Sequence, residues 1–97
     1  MLPKNRPPTH PGKMLLKEFL EPAGISQKNF SNHTGWTYAR VNEIVNGKRG
    51  ITADSALTLG ETLGNSPEFW LTLQQNWELW HALRKHKEAK PLLLKAS

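Results

Sequence analysis

The stretch from Ser26 to Asn46, SQKNFSNHTGWTYARVNEIVN, constrains the fold of this chain more than any other. Ser26 and Thr37 each suit the N-cap of a helix, because their side-chain oxygens can accept backbone N–H groups that are unpaired at a helix start. Gly35 lies between them, where a helix ends in the left-handed conformation that a residue without Cβ adopts at little steric cost. The pattern predicts two short helices joined by a tight turn.

The second of these helices is predicted to have one apolar and one polar face. Val41, Ile44 and Val45 recur at i, i+3 and i+4, which predicts a stripe packed against the rest of the protein. The residues expected to point away from that stripe, or to flank it, are Tyr38, Ala39, Arg40, Asn42, Glu43 and Asn46. A helix of this kind can lie in the major groove of DNA as the second helix of a helix-turn-helix. An ordinary amphipathic surface helix shows the same periodicity, but the two caps, the glycine turn and the basic run GKRG that follows favour DNA binding.

The N-terminal segment is predicted to be an arm followed by a helix. The first twelve residues hold four of the seven prolines, which exclude a helix interior or a paired central strand, so residues 1–10 should form a flexible arm. Pro11 suits the first position of a helix that we expect to reach about Leu20. Pro22 is predicted to stop it.

Two more helices are predicted in the second half of the chain. Thr52 and Gly64 suit the cap and the end of the fourth helix, and Ser66 suits the cap of a fifth that meets no breaker before residue 91. The expected fold is therefore an all-α, five-helix domain with a long C-terminal helix. We expect this domain to span residues 11–90, with a short tail over residues 91–97.

The net charge of +5 is concentrated in the half of the chain that contains the predicted helix-turn-helix. Residues 1–50 hold eight Lys and Arg against three Glu, whereas residues 51–97 hold five basic and five acidic side chains. Such a bias favours a polyanionic partner, because each neutralised phosphate releases condensed counterions. A basic surface that is merely solvated is the alternative.

Several chemistries are disfavoured by composition. The chain has no cysteine, which excludes disulfides, thiolate zinc sites and a thiol nucleophile. The four histidines include no HExxH or other i, i+4 pair, so we expect no metal site, and GKRG lacks the rest of a P-loop. We therefore expect neither an enzyme nor a cofactor.

No apolar run approaches the length of a membrane span or the core of a signal peptide, so we expect a cytoplasmic protein. A rival interpretation is that the fifth helix binds a membrane surface or an acidic protein groove through Arg84, Lys85, Lys87 and Lys90. Glu78 weakens that interpretation.

The fifth helix carries three of the four tryptophans and is predicted to outlast the core of a domain of this size. Part of its apolar face should pack on the domain itself. The distal turns need a second surface, and a second copy of the chain is the obvious candidate. We expect a homodimer with an interface at Trp77, Trp80 and Leu83, because paired recognition helices meet successive major grooves.

Two segments carry a family resemblance, NEIVNGKRGITADSAL from Asn42 and SPEFW from Ser66, supported by HPG at residues 10–12. The chain resembles the HigA family of antitoxins, also labelled virulence-associated protein I. That family has the XRE-type, lambda-repressor-like helix-turn-helix fold.

The resemblance implies a dimer that binds double-stranded operator DNA upstream of its own operon and represses transcription. It also implies a partner, a HigB-like toxin that cleaves mRNA on the ribosome and is held inactive by the antitoxin. Position by position, it implies base or phosphate contacts at Gln27, Thr37, Tyr38, Ala39, Arg40 and Glu43, and backbone contacts at Asn46, Lys48 and Arg49. The alternative is a solitary XRE-type regulator without a toxin partner, which the neighbouring gene would distinguish.

The side-chain chemistry suggests roles for these contacts. Arg40 could donate two hydrogen bonds to guanine or contact a phosphate, and Asn42 and Gln27 could read adenine or hold a phosphate. Lys48 and Arg49 are expected to contact phosphates irrespective of sequence.

Two departures from the family pattern affect these expectations. Ser31 stands where the fold usually has alanine, so its hydroxyl needs a partner. Trp36 and Tyr38 are bulky where relatives carry small residues, so the operator sequence does not carry over.

Overall fold

The computed structural model describes residues 6–93, which form five helices and no strand. The predicted all-α, five-helix architecture is confirmed. The ends of the predicted arm and tail, residues 1–5 and 94–97, lie outside the described part of the chain. None of the described helices combines the length and apolar character needed to cross a membrane. The helices are α1 (residues 11–23), α2 (Gln27–Thr34), α3 (Tyr38–Val45), α4 (Ala53–Leu63) and α5 (Pro67–Lys85).

The helix starts are fixed by the capping residues that the sequence predicts. The side-chain oxygens of Ser26, Thr37 and Ser66 accept backbone N–H groups three residues further on, at 3.0, 3.1 and 3.2 Å. Gly35 ends α2 with φ of +79°, in the left-handed region. These local signals set the length and the spacing of α2 and α3.

The prediction that Pro22 stops the first helix is wrong. The helix consists of Pro11–Met14, a π-helical segment Leu15–Leu20 and Glu21–Ala23, and it ends at Gly24 with φ of +67°. The Glu21 N–H donates to the Leu16 carbonyl five residues back, so the turn before Pro22 is wider than an α-turn. This wider winding accommodates a proline that a regular helix interior would exclude.

One hydrophobic core joins all five helices. Its fully enclosed members include Leu15 and Leu20 from α1, and Trp70 from α5. Gly12 is buried in α1, where a Cβ would lie 1.6 Å from the Ile44 carbonyl oxygen, so only glycine allows this approach of α1 to α3. The other buried apolar residues of the core are Phe30, Val41, Ile44, Val45, Ile51, Ala56 and Leu59.

His10 closes the N-terminus of α1 from inside the protein. Its Nδ1 accepts the Gly12 N–H at 2.9 Å, and its ring meets the Trp77 ring edge-on with centroids 4.9 Å apart. Burial lowers the pKa of His10 from its ordinary value, and the charge of His81 lowers it further. The folded state therefore favours the neutral imidazole, which can accept that hydrogen bond.

The fifth helix is shorter than the sequence predicts. It ends at Lys85 after 19 residues, and His86 is extended with ψ of 132°. Trp80 is the last buried residue, and every described residue from 82 onward is exposed. Because packing of an apolar face stabilises most helices, α5 ends soon after its contacts with the core end.

Candidate nucleic-acid interface

Helix α3 is held on the protein by the apolar stripe that the sequence predicts. Val41 and Ile44 are fully enclosed, and Val45 is 7% exposed. Thr37 caps the start of the helix, where its hydroxyl oxygen accepts a hydrogen bond from the Arg40 N–H. The following loop begins at Asn46. Since one side of this short helix is fixed in the core, the opposite side has a defined orientation.

The outer face of α3 is open to solvent. Ala39 and Asn46 are exposed, the Glu43 side chain is 44% exposed and Tyr38 is 54% exposed. The Glu43 carboxylate also accepts hydrogen bonds from Arg49 in the following loop. The helix therefore presents a methyl group, a phenol, a carboxylate and an amide, which are groups that can meet base edges in a major groove.

Arg40 is turned toward the protein rather than outward. Its Nη2 donates to the Ser55 hydroxyl at 2.8 Å and lies 3.9 Å from the Asp54 carboxylate, while the guanidinium stacks 4.2 Å from the Trp36 ring centroid. The side chain is only 27% exposed, and Nε is buried without a hydrogen-bond partner among the described residues. In this conformation Arg40 is not placed to donate two hydrogen bonds to guanine. It fastens α3 and the preceding turn to the start of α4.

Three amide side chains form a hydrogen-bonded chain along one edge of the helix pair. The Asn42 Nδ2 donates to Gln27 Oε1 at 3.0 Å, and the Asn46 Nδ2 donates to the Asn42 Oδ1 at 3.2 Å and to the Asn42 carbonyl at 2.9 Å. Asn42 is therefore occupied on both its amide nitrogen and its oxygen. Gln27 keeps its NH₂ group and Asn46 its side-chain oxygen for an external partner.

The basic loop after α3 contains two cations, of which Arg49 forms an ion pair within residues 6–93 and Lys48 does not. The Arg49 guanidinium donates to Glu43 Oε1 from Nε at 2.9 Å and from Nη2 at 2.7 Å, and its charge is thereby partly compensated. The Lys48 side chain is exposed and has no hydrogen bond or ion pair to any residue in 6–93. Of the two predicted phosphate contacts, Lys48 is the more available.

Among the residues that depart from the family pattern, Ser31 and Trp36 have local partners, whereas Tyr38 is exposed. The buried Ser31 hydroxyl donates to the Lys28 carbonyl at 2.8 Å, so the serine is satisfied within its own helix. Trp36 packs edge-on against Phe30, with ring centroids 6.0 Å apart. Its ring also stacks against the Arg40 guanidinium. The bulky residue of the turn is thus part of the support for α3.

Gln74 supports the interface in a way that the sequence analysis missed. It is 8% exposed on α5, where its Oε1 accepts the Ile51 N–H at 2.7 Å and its Nε2 donates to Glu78 at 3.0 Å. This bond holds the end of the basic loop against α5. The sequence signal for this supporting role is that Gln74, an amide residue, lies four positions after Trp70 on a helix face that is otherwise apolar.

The three residues predicted for a dimer interface differ in their exposure. Trp80 is 8% exposed and Trp77 packs against His10, so the chain's own fold covers much of both tryptophans. Leu83 is 58% exposed on the last turn of α5, and Leu79, one turn earlier, is 52% exposed. The apolar surface free for a second protomer therefore centres on the two leucines.

The sequence is similar to known regulators over most of its length. The family model described as Helix-turn-helix matches residues 16–70, which include α2, α3 and α4. Antitoxin HigA-1 of Vibrio cholerae is 39% identical over 93 residues, covering 92% of this chain and 88% of the relative. An uncharacterised HTH-type transcriptional regulator of Haemophilus influenzae is 35% identical over 75 residues, covering 77% of this chain and 70% of that protein.

The fold is similar to that of an antitoxin solved with DNA. The structure of Pseudomonas aeruginosa antitoxin HigA with the higBA promoter superposes with a TM-score of 0.80 at 36% sequence identity. The match covers 89% of this chain and 99% of that one. The similarity therefore spans the helix pair and the long C-terminal helix together.

Proposed function

The chain belongs to the helix-turn-helix family of HigA-like antitoxins, and on that basis we propose that it binds operator DNA as a homodimer and represses its own operon. The observation that carries the proposal is the orientation of α3, whose apolar stripe is buried while Ala39, Glu43 and Asn46 face solvent. The similar Pseudomonas aeruginosa antitoxin was solved with promoter DNA. The role is that of a DNA-binding regulator rather than an enzyme.

The proposed DNA contacts divide into two groups by chemistry. Tyr38, Ala39 and Glu43 are assigned to base edges, because they are on the outer face of α3. The Gln27 amide and Lys48 are assigned to phosphates, since each offers donors that no residue in the described range 6–93 uses. Glu43 also has a partner inside the chain, Arg49, and the remaining predicted contacts, each with a partner of its own, are Thr37, Arg40, Asn42, Asn46 and Arg49.

We further propose that the protein neutralises a HigB-like toxin in the cytoplasm. This rests on membership of the antitoxin family, and we assign no residue to the toxin contact. Residues 11–90 would form the regulatory unit, with residues 91–97 as a tail; of the predicted arm, residues 1–10, His10 is buried against this unit. Leu79 and Leu83 are the proposed centre of the homodimer contact, because they are the exposed leucines on the last turns of α5.

A solitary regulator is the second candidate function. It is favoured by the 35% identical Haemophilus influenzae relative, whose name describes a transcriptional regulator and no toxin. Co-expression with the adjacent reading frame, followed by pull-down and growth rescue, separates the two. A toxic neighbour that binds this protein and is silenced by it supports the antitoxin role, whereas a harmless, non-binding neighbour supports the solitary regulator.

The DNA-binding part is tested by titrating the protein against duplexes from the region upstream of its own reading frame. An operator should appear as an inverted repeat bound at least about 10³-fold more tightly than a shuffled duplex at the same salt concentration. Equal affinity for both duplexes would contradict sequence-specific binding. Titration at matched salt is essential, since the phosphate contribution varies steeply with ionic strength.

A further inference from the structure

An open cleft lies beside the end of α3, between the N-terminal segment and the basic loop. One wall is formed by residues 6–10 and the first turns of α1, and the other by Val45, Asn46 and Gly47; Trp77 also lines the cleft. Its volume is about 800 Å³. Because one water molecule takes up only about 30 Å³, the cleft has room for a segment of another macromolecule.

The side chains around this cleft make it electropositive. Arg6, Lys13 and Lys17 line it, and none of the described lining residues is acidic. Lys17 is paired with Glu21 at 3.2 Å, so its charge is opposed from outside the cleft. Arg6 and Lys13 are exposed and have no ion pair within residues 6–93. Arg6 and Lys13 therefore line the open cleft without an acidic partner in residues 6–93.

The cleft is continuous with the proposed DNA-binding surface. Asn46 and Gly47, which form one wall, join the outer face of α3 to Lys48. A duplex that lies against α3 and Lys48 would continue along this wall toward Arg6 and Lys13. The fixed approach of α1 to α3 at Gly12 keeps Lys13 at a defined place relative to α3.

We propose that this cleft is an additional DNA site, in which Arg6 and Lys13 bind the sugar–phosphate backbone beside the bases that α3 reads. The inference rests on the proposed DNA-binding function and extends its footprint to the N-terminal segment. Guanidinium and ammonium groups are the usual partners of backbone phosphates, and such contacts add affinity without reading sequence. DNA is preferred to a small anion because the cleft is open and leads directly from Asn46.

The test measures operator affinity as a function of salt for Arg6→Gln, Lys13→Gln and the double variant. Because the homodimer carries each substitution twice, each single variant should lower the slope of log affinity against log salt by about two, and the double variant by about four, with the operator-to-shuffled affinity ratio unchanged. A shorter operator duplex that keeps the bases under α3 but lacks the flanking backbone should abolish the difference between wild type and variants. Thermal melts should coincide, since both residues are exposed.

Two matched substitutions separate this inference from the function on which it rests. Lys17→Gln removes a cleft charge that Glu21 already opposes and should change the slope less, and Lys48→Gln, present in both protomers, should lower the slope by about two. If Lys48→Gln lowers the slope and Arg6→Gln and Lys13→Gln do not, the cleft is not a DNA site while the DNA-binding function stands. If the wild-type protein shows no preference for the operator, both the proposed DNA-binding function and the cleft proposal are contradicted. Weakened toxin binding with an unchanged salt slope would assign the cleft to the protein partner and overturn the inference.

Discussion

The guanidinium of Arg40 donates a 2.8 Å hydrogen bond to the hydroxyl of Ser55, fifteen residues along the chain and on the next helix. Ser55 is itself buried and lies 3.1 Å from the Thr52 hydroxyl that caps α4. The bond ties the outer helix of the pair to the start of α4. Arg40 therefore helps to fix the position of α3 on the protein.

Ser55→Ala should lower both stability and operator affinity. Loss of a hydrogen bond to a partly buried charged group should cost about 1–2 kcal/mol of unfolding free energy, measured by urea denaturation. Operator affinity should fall because α3 loses one of its attachments. Thr72→Ala, at an exposed position of α5, is the control for loss of a hydroxyl. If Arg40 instead reads guanine, Ser55→Ala will leave the affinity intact while Arg40→Gln relaxes the preference at one base pair.

Gly12→Ala should be far more destabilising than a glycine substitution at a turn. A Cβ at Gly12 would overlap the Ile44 carbonyl, whereas at Gly24, with φ of +67°, it meets nothing within 4 Å. Overpacking against backbone should cost about 3 kcal/mol or more, against about 1–2 kcal/mol for Gly24→Ala in the left-handed region. Urea denaturation of both variants measures the difference. A smaller loss for Gly12→Ala would show that α1 does not approach α3 this closely.

Stability should fall as the pH falls below about 6.5, because the pKa of His10 is lowered in the folded state. In the window between the folded and unfolded pKa values the unfolded chain binds more protons, so acidification favours unfolding. Protonation also removes the acceptor that Nδ1 offers to the Gly12 N–H. Melting temperatures from pH 8 to pH 5 measure the effect.

His10→Asn replaces the Nδ1 acceptor by an amide oxygen that can cap α1 without titrating, and it should flatten this pH dependence. Because the charge of His81 contributes to lowering the pKa of His10, His81→Gln should leave that pKa closer to its ordinary value. If the melting temperature of His10→Asn falls as steeply on acidification as that of wild type, another titratable group causes the pH dependence.

The helix pair was predictable from sequence because its signals are local. Ser26, Gly35 and Thr37 act on backbone groups within four residues, and the Val41 stripe repeats with the helical period. Such signals specify where α2 and α3 begin and end and which face of α3 is buried. They are independent of the rest of the fold.

The structural features that could not be predicted from the sequence depend on contacts between residues that are far apart in the chain. A guanine or phosphate contact was predicted for Arg40, whose bond to Ser55 joins residues 15 positions apart, and Gln74 accepts the Ile51 N–H across 23 positions. The end of α5 at Lys85 depends on where the core stops, not on a breaker residue. The wide turn that admits Pro22 has no simple sequence signature.

Leu83→Glu should weaken self-association and leave the fold intact. The side chain is 58% exposed, so an added carboxylate costs little in the monomer but would be buried without a partner in a dimer. Sedimentation equilibrium should show a lower molecular mass at the same concentration, and operator affinity should fall with it. Leu92→Glu, at a residue that is 94% exposed beyond α5, is the control. A dimer that survives Leu83→Glu would place the interface elsewhere.

The most direct test of the account is the operator affinity of Ala39→Glu, which adds a negative charge to the outer face of α3. Ala39 is exposed in the first turn, where an acid interacts favourably with the helix dipole, so the melting temperature should not fall. Gln75→Glu, at an exposed position of α5, adds the same charge as a control. We predict that Ala39→Glu loses its preference for the operator over a shuffled duplex, while Gln75→Glu retains it. A folded Ala39→Glu protein that still selects the operator as wild type does would contradict the claim that this face of α3 reads DNA.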